Sequence, residues 1–252
     1  MRQQDGKHVI TRERYDAVLL DLDGVITDTA KLHADCWKEM FDQYLKKRAT
    51  RSGEAVRPFD LATDYRLYVD GKSRFDGVRT FLASRGMQLP EGTPDDPPEA
   101  ETVGGLGNRK NELLNRVIED RGVEPYEGSV RFIHHLRQHG FKIAVVTSSQ
   151  NCDAVLTAAG LDAFFEVRVD GNVIHAQQLA GKPAPDAFLM AAKLLGVQPK
   201  RAVVVEDALS GVEAGSNGKF GLVIGVARKG NPEELRDHGA HLVVNDLGEL
   251  AY

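Results

Sequence analysis

From Pro125 onward the chain alternates short aliphatic runs with longer amphipathic stretches, and this alternation restricts the fold more than any other feature. The spacing predicts a helix over Ser129–His139 stopped by Gly140, and a strand over Phe141–Val146. A second helix opens in Thr147-Ser148-Ser149-Gln150-Asn151 and reaches Ala159. Further strands are expected at Phe164–Val169, Ala202–Val205, Leu222–Val226 and near Leu242–Val244, with helices at Asp186–Leu195 and Ala208–Gly215. Near the start, Ala17-Val18-Leu19-Leu20 is one more aliphatic run. After it, Leu32, Cys36, Trp37, Met40, Phe41, Tyr44 and Leu45 recur at helical spacing between Ala30 and about Lys47. Strands alternating with helices pair in parallel, because the crossover helix returns the chain to the same end of the sheet. The expected class is α/β, a doubly wound and mostly parallel sheet whose ligands gather beyond the carboxyl ends of the strands.

Between about Arg48 and Asn115 the pattern breaks. Pro58, Gly71, Gly77, Gly86 and the run Pro90-Glu91-Gly92-Thr93-Pro94-Asp95-Asp96-Pro97-Pro98 punctuate it. Short helices are expected at Gly77–Arg85 and Asn108–Arg121, with no strong strand, so this segment reads as a helical insertion with a turn-rich loop. Residues 1 to about 15 read as a loosely held arm.

A formal net charge of −5 and the lack of a long basic run exclude an electrostatic footprint for nucleic acid, so any anionic substrate needs a local site. Cys36 and Cys152 lie far apart without metal-type spacing and read as reduced thiols of a cytoplasmic protein. The polar start MRQQDGKHVITRERYD has no apolar h-region, and no later stretch is apolar enough to span a bilayer; no membrane partner is expected.

Polar clusters stand where the predicted strands end. Asp21-Leu22-Asp23-Gly24 closes the first, Thr147-Ser148-Ser149 the strand over Phe141–Val146, and Glu206-Asp207 the strand over Ala202–Val205, while Lys182 stands in a Gly-Lys-Pro turn before a helix. Phosphoryl transfer needs such parts. The Asp21 carboxylate can attack phosphorus and hold an aspartyl phosphate, and Asp23 can pass a proton to the leaving oxygen and recover it from the next nucleophile. Oxygen ligands from Asp21, the Asp23 main chain and the Glu206-Asp207 pair suit Mg²⁺. Adjacent residues of an extended chain point opposite ways, which favours Asp207 over Glu206 as the direct ligand. Thr147, Ser148 and Lys182 would hold the phosphoryl oxygens. Each cluster also has a plainer reading: Asp-x-Asp-Gly as an Asx turn, Ser148 or Ser149 as a helix N-cap, Lys182 as a solvated charge, the acidic pair as a complement to a helix dipole. Their conjunction at successive strand ends favours the chemical reading.

With these residues assembled, the chain resembles the haloacid-dehalogenase superfamily over roughly Tyr15 to Leu250, and within it the β-phosphoglucomutase branch. The likeness runs through Asp21-Leu22-Asp23-Gly24-Val25-Ile26-Thr27-Asp28-Thr29-Ala30, Thr147-Ser148-Ser149-Gln150-Asn151, Gly181-Lys182-Pro183-Ala184-Pro185-Asp186 and Glu206-Asp207-Ala208. The resemblance implies a Rossmann-like core, residues 16–29 and 113–252, and an inserted helical cap, residues 30–112, that closes over substrate about hinges near Asp28–Ala30 and Asn108–Glu112. It further implies that Gly71, Lys72 and Arg74, with the segment Arg109-Lys110-Asn111, serve a second phosphate. His33 and Lys110 would lie close to the acid/base aspartate, with Trp37 at a similar position. Ser149 and Asn151 join the phosphate-binding set through their motif.

The activity so implied is an Mg²⁺-dependent isomerisation of β-glucose 1-phosphate to glucose 6-phosphate through an aspartyl phosphate, with β-glucose 1,6-bisphosphate as intermediate and activator. The expected partner is a small sugar phosphate, and the expected state a monomer. A phosphatase surrendering the same aspartyl phosphate to water is the first alternative, and a catalytically silent regulatory module the second. Intact Asp21, Asp23, Lys182 and Asp207 argue against the silent module, whereas mutase and phosphatase share every core residue.

Overall fold

The computed structural model describes residues 9–251 except 54, 56 and 229, and the chain divides into two compact units. One comprises Met1–Asp28 and Val123–Tyr252, the other Thr29–Gly122. Of the expected N-terminal arm, residues 1–8 lie outside the described residues. Its last part is a turn in which Thr11 accepts from the amides of Arg14 and Tyr15, and Tyr15 is buried.

The first unit is built on β1 (Ala17–Leu20), β2 (Lys142–Val146), β3 (Val167–Val169), β4 (Ala202–Glu206), β5 (Leu222–Val226) and β6 (Leu242–Val244). These pair in parallel in the order β3-β2-β1-β4-β5-β6, so the fold class is the α/β, Rossmann-like doubly wound sheet expected from the alternation. All four residues of β1 are fully buried, which fits a central strand with both faces covered. Side chains of a strand alternate between faces. Ala17, Leu19, Ala144, Val146, Val204 and Val223 therefore share a hydrophobic cluster with Phe188 and Ala191 of the helix Asp186–Leu194 and Val212 of the helix Leu209–Asn217. On β2 the helix Glu127–Gln138 packs through an interior that includes Phe132, Ile133 and Leu136. Short helices at Cys152–Ala158, Gly171–Ala176 and Pro232–Asp237 complete the unit. The strand expected over Phe164–Val169 is confined to Val167–Val169, because Asp162–Phe164 turns as a 3₁₀ segment instead.

Among the described residues of the second unit, every regular element is a helix. It holds α1 (Ala30–Ser52), a π-helix (Leu61–Val69), α2 (Arg74–Ser84) and α3 (Val103–Arg121). Its interior is aromatic: Trp37 stacks on Phe41 with centroids 5.3 Å apart, and Phe41 meets Phe81 at 4.0 Å and Phe59 at 5.2 Å. Gly77 makes room for this cluster, since a Cβ there would stand 2.8 Å from the Trp37 ring. Helix α2 starts ahead of the expected Gly77, with Ser73 accepting from the Asp76 amide as its N-cap. Helix α3 starts ahead of the expected Asn108 and runs unbroken through 108–112, where a hinge was expected, to a stop at Gly122.

Phe41 is fully buried and touches the other rings of this cluster, so Phe41→Ala should cost about 3–5 kcal/mol of stability. Urea titration of the two proteins side by side checks this, and a loss below about 1 kcal/mol would contradict a tightly packed aromatic interior.

Candidate active site

The strand order reverses between β1 and β4, and their paired register brings Leu20 level with Val205. Each strand therefore delivers its next residue to the same edge. The Asp21 amide still bonds to the Val205 carbonyl at 3.0 Å, which fixes Asp21 beside Glu206. Both carboxylates are buried, and Lys182 joins them: its ammonium donates to Asp21 Oδ1 at 2.6 Å and to Glu206 Oε1 at 2.5 Å. The second Glu206 oxygen accepts from the Ala208 amide at 2.7 Å. Gly211 makes this possible, for a Cβ at that position would stand 1.9 Å from Glu206 Oε1.

Burial raises the Asp21 carboxyl well above the usual carboxylate range, with the Lys182 ammonium opposing and the Glu206 and Asp23 charges adding to the rise. Burial acts to lower the Lys182 pKa, but the Asp21 and Glu206 carboxylates outweigh it and hold the ammonium above its ordinary value. Counting Asp207, three acids stand around one ammonium, and a cation brought among them would offset the burial that raises the Asp21 carboxyl.

Asp207 supplies the remaining acid. Gly24 has φ +90, and a Cβ on it would stand 2.0 Å from Asp207 Oδ2, so only glycine lets this carboxylate lie over the Asp21–Gly24 turn. Asp21, Glu206 and Asp207 each bring one ligand-type oxygen to within 4.8 Å of one another. The donor set is all carboxylate, as a hard divalent cation requires. Both Glu206 oxygens already hold protein donors, which leaves Asp21 and Asp207 as the direct candidates.

Around this centre, Thr147 Oγ1 donates to Asp23 Oδ2 at 3.4 Å and accepts from the Ser149 amide at 3.1 Å. The Ser149 hydroxyl accepts from the Asn151 amide at 3.2 Å. Neither serine caps the following helix, which starts at Cys152 with Asn151 as a cap lacking a side-chain bond. The N-cap reading is thus replaced by two hydroxyl-to-amide turns that fold Thr147–Asn151 back on itself, with the Ser149 carbonyl accepting from the Gly171 amide at 2.8 Å. Ser148 is half-buried in this loop. Lys182 is set by its own turn, closed by Ala184 N to Gly181 O at 3.0 Å and Ala180 N to Asp186 Oδ2 at 3.1 Å.

Within the helical unit the expected residues fall into two groups. Gly71, at φ +69, turns the chain out of the π-helix, and the Lys72 amide bonds back to the Val69 carbonyl at 3.2 Å. Arg74 opens α2, half-buried against the Phe75 ring, with its Nε lacking a hydrogen-bond partner; burial lowers its pKa. The other group joins α1 to α3. Buried Lys110 approaches His33 Nδ1 at 3.0 Å and lies 5.4 Å from the Trp37 ring centroid. Neighbouring Arg109 instead donates to the Pro98 carbonyl at 2.8 Å, and so braces the turn-rich loop.

The sequence reading passed over Arg228, which stands two residues beyond β5. Its Nε donates to the Gly24 carbonyl at 3.1 Å, and one terminal nitrogen donates to the Val25 carbonyl at 3.1 Å and to Ser129 Oγ at 2.8 Å. Its other terminal nitrogen pairs with Asp246, and its plane lies 3.5 Å from the Tyr126 ring centroid. Tyr126 in turn donates to Asp28 at 2.6 Å. A lone arginine beyond a strand end belongs to no motif, so the sequence offered no signal for Arg228.

The profile of haloacid dehalogenase-like hydrolases matches residues 15–218. Proteins named β-phosphoglucomutase from Mycobacterium bovis and from Mycobacterium tuberculosis are each 54% identical over 241 residues, covering 94% of this chain and 92% of theirs. A solved structure of a β-phosphoglucomutase from Clostridium difficile superposes with a TM-score of 0.74 at 25% identity, covering 94% of each chain.

Removing the ammonium by Lys182→Met should leave Asp21 and Glu206 buried without their cation and cost about 3–5 kcal/mol near pH 8 in EDTA. Burial then raises the carboxyl unopposed, so the folded state binds more protons than the unfolded chain. Stability is fully present below the unfolded carboxyl pKa and is lost as pH rises through the raised folded value. The deficit relative to wild type should narrow from pH 8 to pH 5 in denaturant titrations; a deficit that widens on acidification would contradict the assignment.

Proposed function

The chain belongs to the haloacid dehalogenase-like hydrolase family, and from that membership we propose that it is a sugar-phosphate mutase interconverting β-glucose 1-phosphate and glucose 6-phosphate. The observation that carries the phosphoryl-transfer half of this reading is the buried contact of Lys182 with Asp21 and Glu206 at the reversal of strand order. The likeness to proteins named β-phosphoglucomutase over nearly the whole chain supports the choice of sugar.

In the proposed cycle the enzyme begins with Asp21 as an aspartyl phosphate. The 6-hydroxyl of β-glucose 1-phosphate attacks that phosphorus while Asp23 takes the hydroxyl proton, and the bond to Asp21 breaks. The product is β-glucose 1,6-bisphosphate. After the sugar turns over, Asp21 attacks the phosphorus at C1, the bond to O1 breaks, and Asp23 returns its proton to O1. Glucose 6-phosphate leaves and the aspartyl phosphate is restored, so neither protons nor phosphoryl groups are consumed.

Mg²⁺ held by Asp21, Asp207 and the Asp23 main chain would supply the charge that lets a carboxylate approach a phosphate. Lys182 keeps Asp21 aligned and adds positive charge next to the developing phosphoryl charge. Thr147, Ser148, Ser149 and Asn151 are assigned to the phosphoryl oxygens. The distal phosphate is assigned to Arg74, with Gly71 and Lys72, since a guanidinium offers the paired donors a phosphate accepts. His33 and Lys110 are assigned to substrate recognition in the helical unit.

Purified protein given Mg²⁺, β-glucose 1-phosphate and a trace of β-glucose 1,6-bisphosphate should yield glucose 6-phosphate without free phosphate. Free phosphate alone would replace the mutase by a phosphatase. Asp21→Asn should abolish turnover, and a surviving rate would overturn the nucleophile assignment. Arg74→Ala should lower mutase turnover by about 10- to 100-fold, the worth of a hydrogen-bonded charge, while hydrolysis of acetyl phosphate changes little. Equal losses in both assays would remove Arg74 from the distal site.

A further inference from the structure

We infer that Arg228 is a positioning residue for Asp23: its guanidinium holds the Gly24 and Val25 carbonyls and so sets where the acid/base carboxyl points. The inference rests on the proposed role of Asp23, whose side chain sits on the residue just before the clamped peptides.

The Asp21–Thr27 turn is tied from one side by its own bonds. The Gly24 amide donates to the Thr27 carbonyl at 2.8 Å, while the Ile26 and Thr27 amides and the Thr27 hydroxyl all reach the Leu22 carbonyl. The Gly24 and Val25 carbonyls take their partners from elsewhere. Arg228 donates to both, and buried Ser129 donates to the Val25 carbonyl at 2.6 Å. A glycine at positive φ has wide freedom to rotate its peptides, so these outside donors add to the turn's own bonds and the Thr147 contact in restricting the segment that carries Asp23.

The guanidinium is itself held on every side. Asp246 pairs with one arm, Ser129 Oγ accepts from the other, and the Tyr126 ring covers its face. Its side chain is 14% exposed. A planar fork can serve two successive carbonyls and a carboxylate at once, whereas an ammonium at that place lacks the span. No substrate atom needs to touch Arg228 for it to matter, because a displacement of about an ångström at a proton donor costs on the order of 100-fold in rate.

The leaving group separates this role from a merely structural one. A sugar alkoxide needs a proton as its bond to phosphorus breaks, whereas 4-nitrophenolate leaves without one. Single-turnover transfer to the enzyme would therefore be measured with Mg²⁺ from β-glucose 1,6-bisphosphate and from 4-nitrophenyl phosphate, in wild type, Asp23→Asn, Arg228→Lys and Ser129→Ala. Each ratio of the two rates comes from one preparation, so a loss of folded protein cancels in it. Arg228→Lys should lower the sugar rate relative to the aryl rate by about 10- to 100-fold, and Ser129→Ala should move the ratio the same way by about 3- to 10-fold. If Asp23→Asn shifts the ratio but Arg228→Lys lowers both rates equally, Arg228 does not act through Asp23. Should Arg228→Lys give no folded protein, an unchanged ratio in Ser129→Ala overturns the positioning role in the same way. If Asp23→Asn itself leaves the ratio unchanged, the acid/base reading fails and takes this inference with it.

Discussion

A buried ammonium between two buried carboxylates organises the catalytic unit. Lys182, Asp21 and Glu206 come from a loop and two neighbouring strands, and each is costly to bury alone. Together they form a cluster whose parts have few other stable places to go. The sheet register therefore has to bring the ends of β1 and β4 level, and the Gly181–Asp186 turn has to aim its lysine inward. The excess negative charge is the chemically useful remainder. It makes the site a cation sink while the ammonium keeps a carboxylate oriented toward the edge of the sheet where a parallel fold exposes its ligands.

Glycine carries the next level of this arrangement. Gly24 and Gly211 are filled in space by Asp207 and Glu206 respectively, so the two acids that follow β4 occupy volume that side chains would otherwise claim. This sorts the acids into different roles. Glu206 turns inward to Lys182 and the Ala208 amide, while Asp207 turns over the Asp21–Gly24 loop. The alternation of side chains along an extended strand is what separates them.

The sheet was legible because its strands are dense in Val, Ile and Leu and end sharply on polar residues; β1, β5 and β6 fall on their expected bounds. The residues on those ends stood out for the same reason, and the structure brings Asp21 and Glu206 together with Lys182 of the Gly181–Asp186 turn. What stayed hidden depends on tertiary contact. The first turns of α3 contain Gly104, Gly105 and Gly107, poor helix formers that argue for a loop until their neighbours are seen. A Cβ at these positions would strike the Thr93 carbonyl, the Ala100 carbonyl and the Phe75 ring, so glycine is there for close packing. The plainer reading of Ser148 or Ser149 as an N-cap does not hold, because local hydroxyl-to-amide turns compete with capping at such residues. Arg228 escaped because a lone arginine after a strand has no pattern; its meaning lies in carbonyls some two hundred residues earlier in the chain.

The π-helix of the helical unit was equally illegible, and an ion-pair cluster ties down its start. Asp64, buried in that helix, pairs with Arg85 at 2.5 Å and Arg57 at 3.1 Å, and also accepts from the Asp60 amide at 2.9 Å. With its start so fixed, the wider winding carries through to the Asp70 amide, which bonds to Tyr65. Gly71 then reverses the chain and Ser73 caps α2, which leaves Arg74 as the first helical residue. That is an unfavourable place for a cation, because the helix dipole is positive there. Half-burial and an Nε without a partner add to the cost. A phosphate at this point would meet the positive end of the dipole and the guanidinium together. An anion there would relieve both costs, which is the physical ground for proposing the distal phosphate at Arg74.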